Sequence, residues 1–261
     1  MRKNAQIRNV LAGLVVLWAT AFAAGATAPP KAAAESGTQA ETGAIFSDSA
    51  LASIAALNSA KKPRDFYRQG VQALHRGHAA EAERDAQKAI KEKIKARENS
   101  SDAHALAATA ELSQRKFSLA QSAAKSSIDA DASNEKAYVI LATADNYLGQ
   151  YADAVVALEH VQADSAQWWQ ISYQRARAEA GLDHAQAALD WSNRAALQAP
   201  QDFAPLHLLH ASALVSIAQY AQAADELEIY LGLEGNQAPQ RDELQRELGK
   251  LRELAGQMAK N

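Results

Sequence analysis

Not one of the 261 residues is a cysteine. Disulfides, thiolate catalysis and cysteine-ligated zinc or iron–sulfur sites are therefore excluded. Aromatic residues are scarce at 6%, although apolar residues make up 48% of the chain. Alanine supplies much of that apolar share. It has the highest helix propensity, and its small side chain lets helices approach closely. No run of alternating β-branched residues is present, so the expected class is all-α. An excess of basic charge is absent too. The formal net charge is −3, and without Arg2, Lys3 and Arg8 the balance is 24 basic against 30 acidic residues, or −6. An acidic chain is a poor nucleic-acid binder by bulk charge, so no nucleic-acid partner is expected. There is no G-x-S-x-G, S-x-x-K or phosphate-binding loop. No cofactor and no enzymatic activity are expected.

The first 26 residues have the order of a secretory leader. Met1 to Arg8 is short and basic. Val10 to Ala24 is an apolar stretch of 15 residues. Small residues follow at Ala21-Phe22-Ala23 and Ala24-Gly25-Ala26, the A-x-A arrangement of a cleavage site. The stretch is shorter than the ~20 residues that span a bilayer. The reading is a bacterial signal peptide cleaved after Ala23 or Ala26, with a periplasmic or secreted product. The alternative is an uncleaved inner-membrane anchor, in which Trp18 and the flanking alanines extend the span. Any membrane contact would come through that leader.

Residues 27–62 are rich in small and polar residues over their first part and read as a flexible linker. Ser47 or Ser49 could cap a short helix reaching Asn58, with Leu51, Ile54 and Leu57 on one face. Lys61-Lys62-Pro63 ends it.

From residue 63 a pattern recurs. Gly77 is followed by Ala82, Ala86 and Ala89. Phe117 is followed by Ala120 and Ala124, Tyr151 by Ala154 and Leu158, and Tyr220 by Ala223 and Leu227. Phe117, Tyr151 and Tyr220 are spaced by 34 and 69 residues, one period and about two. Small residues at fixed offsets within such a period mark helix–turn–helix units stacked into a solenoid. Five units fit, at roughly 63–98, 101–133, 135–166, 167–200 and 204–236. The first is about four residues long by the period, and the charged stretch Lys88 to Glu98 absorbs them as an extra helical turn. In the fourth, Gly181 lies too far before Ala187 or Ala188 for the usual five-residue step, so its register stays open. Residues 239–258 form a last helix with Leu244, Leu248, Leu251 and Leu254 on one stripe, suited to cap the array.

These residues resemble the tetratricopeptide repeat family over 63–238. The third unit matches best, with Tyr138, Leu141, Ala142, Gly149, Tyr151, Ala154 and Leu158. The second departs, with His104 at a bulky position and Arg115 in place of Gly. The resemblance implies a right-handed α-solenoid of about five helix–turn–helix repeats plus a C-terminal capping helix. It also implies a concave wall lined by the first helix of each repeat. Carried over, that wall holds Arg64, Tyr67, Val71, Leu74 and His75, then Asp102, Ala105, Thr109, Leu112 and Ser113. Lys136, Val139, Thr143, Asn146 and Tyr147 follow, and later Pro205, Leu208, Ser212, Val215 and Ser216. The wall is apolar and hydroxylic with few charges. It lacks a Lys/Asn/Arg set for a terminal carboxylate, so a groove that reads side chains of a protein or peptide segment is expected.

Trp168 and Trp169 point about 100° apart on a helix. Either both pack between the third and fourth repeats, or one serves as an exposed aromatic anchor. Trp191 is expected in the core. His75-x-x-His78 and His207-x-x-His210 have metal-compatible spacing but no third carboxylate or cysteine at a recognised spacing, so no metal is expected. The basic run Lys88 to Arg97 reads as a solvated helix face, or a contact for an acidic partner. The functional expectation is an exported, non-enzymatic binding scaffold in cell-envelope assembly. A self-associating structural protein or an accessory subunit of an envelope complex is the alternative.

Overall fold

The computed structural model describes residues 65–162, 169–235 and 240–259. The leader, the short helix proposed before Asn58, Arg64, Trp168 and Pro239 lie outside them. Among the described residues there are eleven α-helices and no strand. They fall into two compact lobes. The first holds α1 (Phe66–His75), α2 (Ala79–Ala96), α3 (Ser101–Ser113), α4 (Phe117–Ala130), α5 (Glu135–Tyr147) and α6 (Tyr151–Leu158). The second holds α7 (Trp169–Gly181), α8 (Ala185–Ala196), α9 (Ala204–Ser216), α10 (Tyr220–Glu234) and α11 (Arg241–Met258). Within each lobe every helix packs on the next. First helices of adjacent hairpins also touch, as α1 with α3, α3 with α5, and α7 with α9. This is the packing of an α-solenoid.

One turn builds every hairpin. A residue in the left-handed region ends each first helix: Gly77, Arg115, Gly149, Asp183 and Ala218, with φ between 60° and 75°. The amide after it reaches back to a carbonyl five residues earlier. His78 bonds to Ala73, Lys116 to Glu111, Gln150 to Asp145, His184 to Glu179 and Gln219 to Leu214, all at 2.8–2.9 Å. This is the Schellman arrangement, which satisfies orphan carbonyls at the helix end. Glycine occupies that position in only two of the five hairpins. The other three accept the Cβ penalty, roughly 1 kcal/mol each. The open register of the fourth repeat is thereby resolved. Its turn residue is Asp183, two residues past Gly181, and the step to Ala188 is the usual five.

Five residues beyond each turn residue stands a fully buried alanine: Ala82, Ala120, Ala154, Ala188 and Ala223. Seven residues before it stands Gly70, Ala108, Ala142, Ala176 or Ala211. The four alanines are fully buried, and Gly70 is buried too. These small residues set the crossing of the two helices. A Cβ on Gly70 would come within 2.8 Å of Leu106 Cδ2 and 3.2 Å of the Ala82 carbonyl oxygen. Larger side chains at the crossings would force the helices apart.

Helix α2 is 18 residues long against 14 for α4, and its last buried residue is Ile90. The extra turn carries Lys91, Lys93 and Lys95 and ends at left-handed Arg97. Helix α11 closes the second lobe. Leu244, Leu248 and Leu251 are buried in one cluster with Tyr220, Leu227, Tyr230 and Leu231, and Leu254 packs partly against it. Each such leucine contributes roughly 1.5–3 kcal/mol of burial.

Two tryptophans, Trp169 and Trp191, lie within the described residues. Trp169 is buried, and its ring meets Phe203 at 4.6 Å and Tyr173 at 6.3 Å between centroids. Within the second lobe it packs between the fourth and fifth repeats. Trp191 is half-buried, not core. The Arg194 and Arg175 guanidinium groups lie 4.6 and 5.8 Å from its ring centroid. A cation over such a ring gains roughly 0.5–1 kcal/mol from its quadrupole.

Candidate partner-binding face

The first helices of adjacent hairpins lie side by side, so equal offsets on them form rows. Among the expected wall residues in the first lobe, Val71, Ala105, Thr109, Leu112, Val139, Thr143 and Asn146 are buried. Tyr67, Leu74, Ser113, Lys136 and Tyr147 are half-buried, and His75 and Asp102 are exposed. In the second lobe Leu208, Ser212 and Val215 are buried, Pro205 is half-buried and Ser216 is exposed. The buried members form a floor, and the accessible members stand along it.

The hydroxyl groups of this wall are turned to their own helices. Thr109 donates to the Ala105 carbonyl at 2.9 Å and Thr143 to that of Val139 at 2.8 Å. Ser113 and Ser216 do the same to Thr109 and Ser212 at 3.1 Å. Such back-bonding lets a polar residue sit in a crowded helix face without an orphan donor. The face therefore offers shape and apolar surface more than hydrogen bonds.

Tyr147 is a half-buried aromatic on this face, stacked on a neighbouring ring. Its ring lies parallel to Phe117 at a centroid distance of 4.4 Å and an interplanar angle of 3°. Phe117 is itself buried. A half-exposed ring fixed by stacking has little rotamer entropy left to lose on binding. Tyr67 is the second aromatic. Burial, then the charges of Asp102 and Asp65, pushes its phenol up to about 12, so it remains a neutral donor.

A set of buried acids at one repeat offset escaped the sequence reading. Glu111, Asp145 and Glu179 each stand four residues before the turn residue, and all are buried. Their spacing is the repeat period, which was the available signal. Burial, reinforced by the Glu83 charge and opposed by Lys116, pushes Glu111 up to about 7. Burial also raises Asp145, against a hydrogen bond from Gln121. Burial acts on Glu179 as well, but hydrogen bonds from His184 and Arg175 outweigh it and lower its pKa.

The histidine pairs resolve differently. His78 Nδ1 faces Glu81 at 3.2 Å, while His75 is exposed. His207 and His210 find a carboxylate that local sequence did not show. Glu226, on α10, lies 2.7 Å from His207 Nδ1 and 3.4 Å from His210 Nδ1. Burial would raise Glu226, but these hydrogen bonds bring it down to about 2, and the same contact raises His207. Among the described residues no group of three His, Cys, Asp or Glu side chains has metal-holding geometry. No described helix is long and apolar enough to cross a membrane.

No family model matches the chain, and no curated protein does. Solved structures do. A thermophilic TPR protein of Thermus thermophilus, TTC0263, is similar with a TM-score of 0.53 at 18% identity, over 71% of this chain and 96% of that one. MamA residues 41 to the end, from Desulfovibrio magneticus RS-1, gives 0.53 at 16% identity over 65% and 93%. A double mutant of MamA RS-1 gives 0.53 at 17% over 66% and 94%. At these identities the likeness is one of fold. The chain has the all-helical solenoid fold of tetratricopeptide repeat proteins.

Proposed function

We propose that this chain is an exported, non-enzymatic scaffold that binds a protein or peptide segment across the face of its first helices. Its place is the periplasm or the exterior, in assembly at the cell envelope. The observation that carries the binding face is Tyr147, half-exposed and held flat on Phe117, at the offset that Ser113 holds one repeat earlier and on the same helix as Lys136. Rigid aromatics on a mostly apolar floor are what binding hot spots are made of. The basic-then-apolar leader with its small-residue sites supports export.

The test is crosslinking capture from the native envelope fraction, identified by mass spectrometry, with wild type and Tyr147→Ala compared. Tyr147→Ala should weaken capture of the partner by at least ~1 kcal/mol, about fivefold, with helical circular dichroism unchanged. Lys125→Glu, on the exposed side of α4, should matter little. Loss of capture with Lys125→Glu but not with Tyr147→Ala would move the site to the second helices and refute this reading. A mass that rises with concentration, with no other protein captured, would favour self-association instead.

A further inference from the structure

The junctions between hairpins in the first lobe are bridged by polar side chains. Six residues past the turn residue of one hairpin stands a group that bonds to the next. Glu83 accepts from Gln114 Nε2 at 2.6 Å and from Lys116 Nζ at 2.8 Å. Gln121 donates to Asp145 Oδ1 at 2.5 Å and contacts Gln150 Oε1 at 2.5 Å. The acid four residues before the next turn, Glu111 or Asp145, completes each junction.

At the α8–α9 junction of the second lobe both places are leucine. Leu189 replaces the bridging side chain and Leu214 the buried acid. Leucine cannot bridge, and a cavity of about 400 Å³ opens there. The two buried leucines line it together with Asn193, Gln219 and Gln222, whose side chains carry amides. Two carboxylates, Asp225 and Glu226, border it together with His210. Glu226 is already engaged by His207 at 2.7 Å and His210 at 3.4 Å. Asp225 is exposed and forms no ion pair among the described residues. The surrounding stretch 169–259 carries twelve Asp and Glu against seven Lys and Arg, so its field draws cations.

We propose that this cavity is a binding site for a basic side chain, arginine foremost, presented by a segment of a partner protein. The aliphatic stem would lie on Leu189 and Leu214. The planar guanidinium would meet the Asp225 carboxylate and the amide oxygens of Asn193, Gln219 and Gln222, which suits its fork of donors. Its volume lies within the roughly 300–1,000 Å³ of ligand sites. His210 and Leu214 are two residues beyond Leu208 and Ser212, about 200° round α9. The cavity therefore opens on the opposite side of that helix from the inner-face residues and stands independently of the reading given to Tyr147.

The probe is N-acetyl-arginine methylamide, titrated into the isotope-labelled chain and followed by nuclear magnetic resonance at the side-chain amides of Asn193, Gln219 and Gln222. Saturable shifts are expected. The neutral isostere, the citrulline analogue, should bind about tenfold more weakly or worse. Asp225→Asn should weaken the arginine analogue several-fold. Gln222→Trp, a substitution at an exposed position, should block it by filling the cavity while circular dichroism stays unchanged. Tyr147→Ala should bind the probe like wild type, which keeps the two sites apart. No saturable shift, equal binding of the citrulline analogue, or indifference to both Asp225→Asn and Gln222→Trp would overturn the assignment.

Discussion

Replacing Glu111 by Gln should make the protein more stable, and increasingly so as pH rises. Glu111 is 5% exposed, and its Oε2 has no hydrogen-bond partner. Glu83 stands nearby and is held ionised. Burial works against it, but hydrogen bonds from Lys116 and Gln114 outweigh that and lower its pKa. Glu111 therefore moves from 4.5 to about 7 on folding. Below 4.5 the carboxyl is protonated in both states and contributes no pH dependence. Between 4.5 and 7 the unfolded chain ionises while the folded chain keeps its proton, so stability falls as pH rises. Above 7 the folded group ionises as well and the penalty levels off. A shift of this size is worth about 3 kcal/mol at its plateau. Gln has nearly the same shape and no charge. The assay is urea unfolding by far-ultraviolet circular dichroism, wild type against Glu111→Gln, at about pH 5 and about pH 8. The stability gap should widen in favour of the variant by about 2–3 kcal/mol between those conditions. Parallel behaviour of the two proteins would refute the reasoning and show that water or relaxation solvates the carboxylate.

Other perturbations probe other links. Ala154→Leu overpacks a fully buried helix crossing and should cost roughly 1–3 kcal/mol, read as a lower melting temperature; no change would mean that the crossing yields freely. Gly149→Ala adds a Cβ that meets nothing within 4 Å, so its cost is conformational alone, about 1 kcal/mol from φ of +74°. An unchanged unfolding midpoint would deny that strain. Glu226 runs opposite to Glu111. Its pKa is depressed from 4.5 to about 2, so its stabilisation is complete above 4.5 and is lost as pH falls towards 2. Glu226→Gln should lower stability at neutral pH by about 2 kcal/mol and flatten the acid limb, and an acid limb identical to wild type would contradict the pairing with His207. For export, the chain recovered from its own host should begin near residue 24, 27 or 29 by intact mass. A full-length mass held in the inner membrane would instead support the anchor.

The helical hairpins and their period were legible in the residues alone. Helix formation and the crossing of neighbouring helices depend on contacts within one period, so small residues recur where backbones meet. Ala82, Ala120, Ala154 and Ala223 announce those crossings, and the leucine stripe of α11 announces its closing role. The turns were only half legible. A Schellman turn is closed by backbone hydrogen bonds and tolerates Arg115, Asp183 or Ala218 at a modest cost. Glycine therefore marked only Gly77 and Gly149, and Gly181 misdirected the register of the fourth repeat. The site residues divided in the same way. Their offsets on first helices came from the period, but whether Leu112 or Val139 is floor, and whether Tyr147 is pinned, depends on neighbouring helices. What tertiary structure alone decided is electrostatic and steric. Glu83 reaches Gln114 and Lys116 across some 31 to 33 residues of chain, and Glu226 reaches His207 across 19. Such pairings carry no local periodicity. A carboxyl's proton affinity and the cavity between Leu189 and Leu214 follow from which side chains the stacked helices bring within a few ångströms of one another.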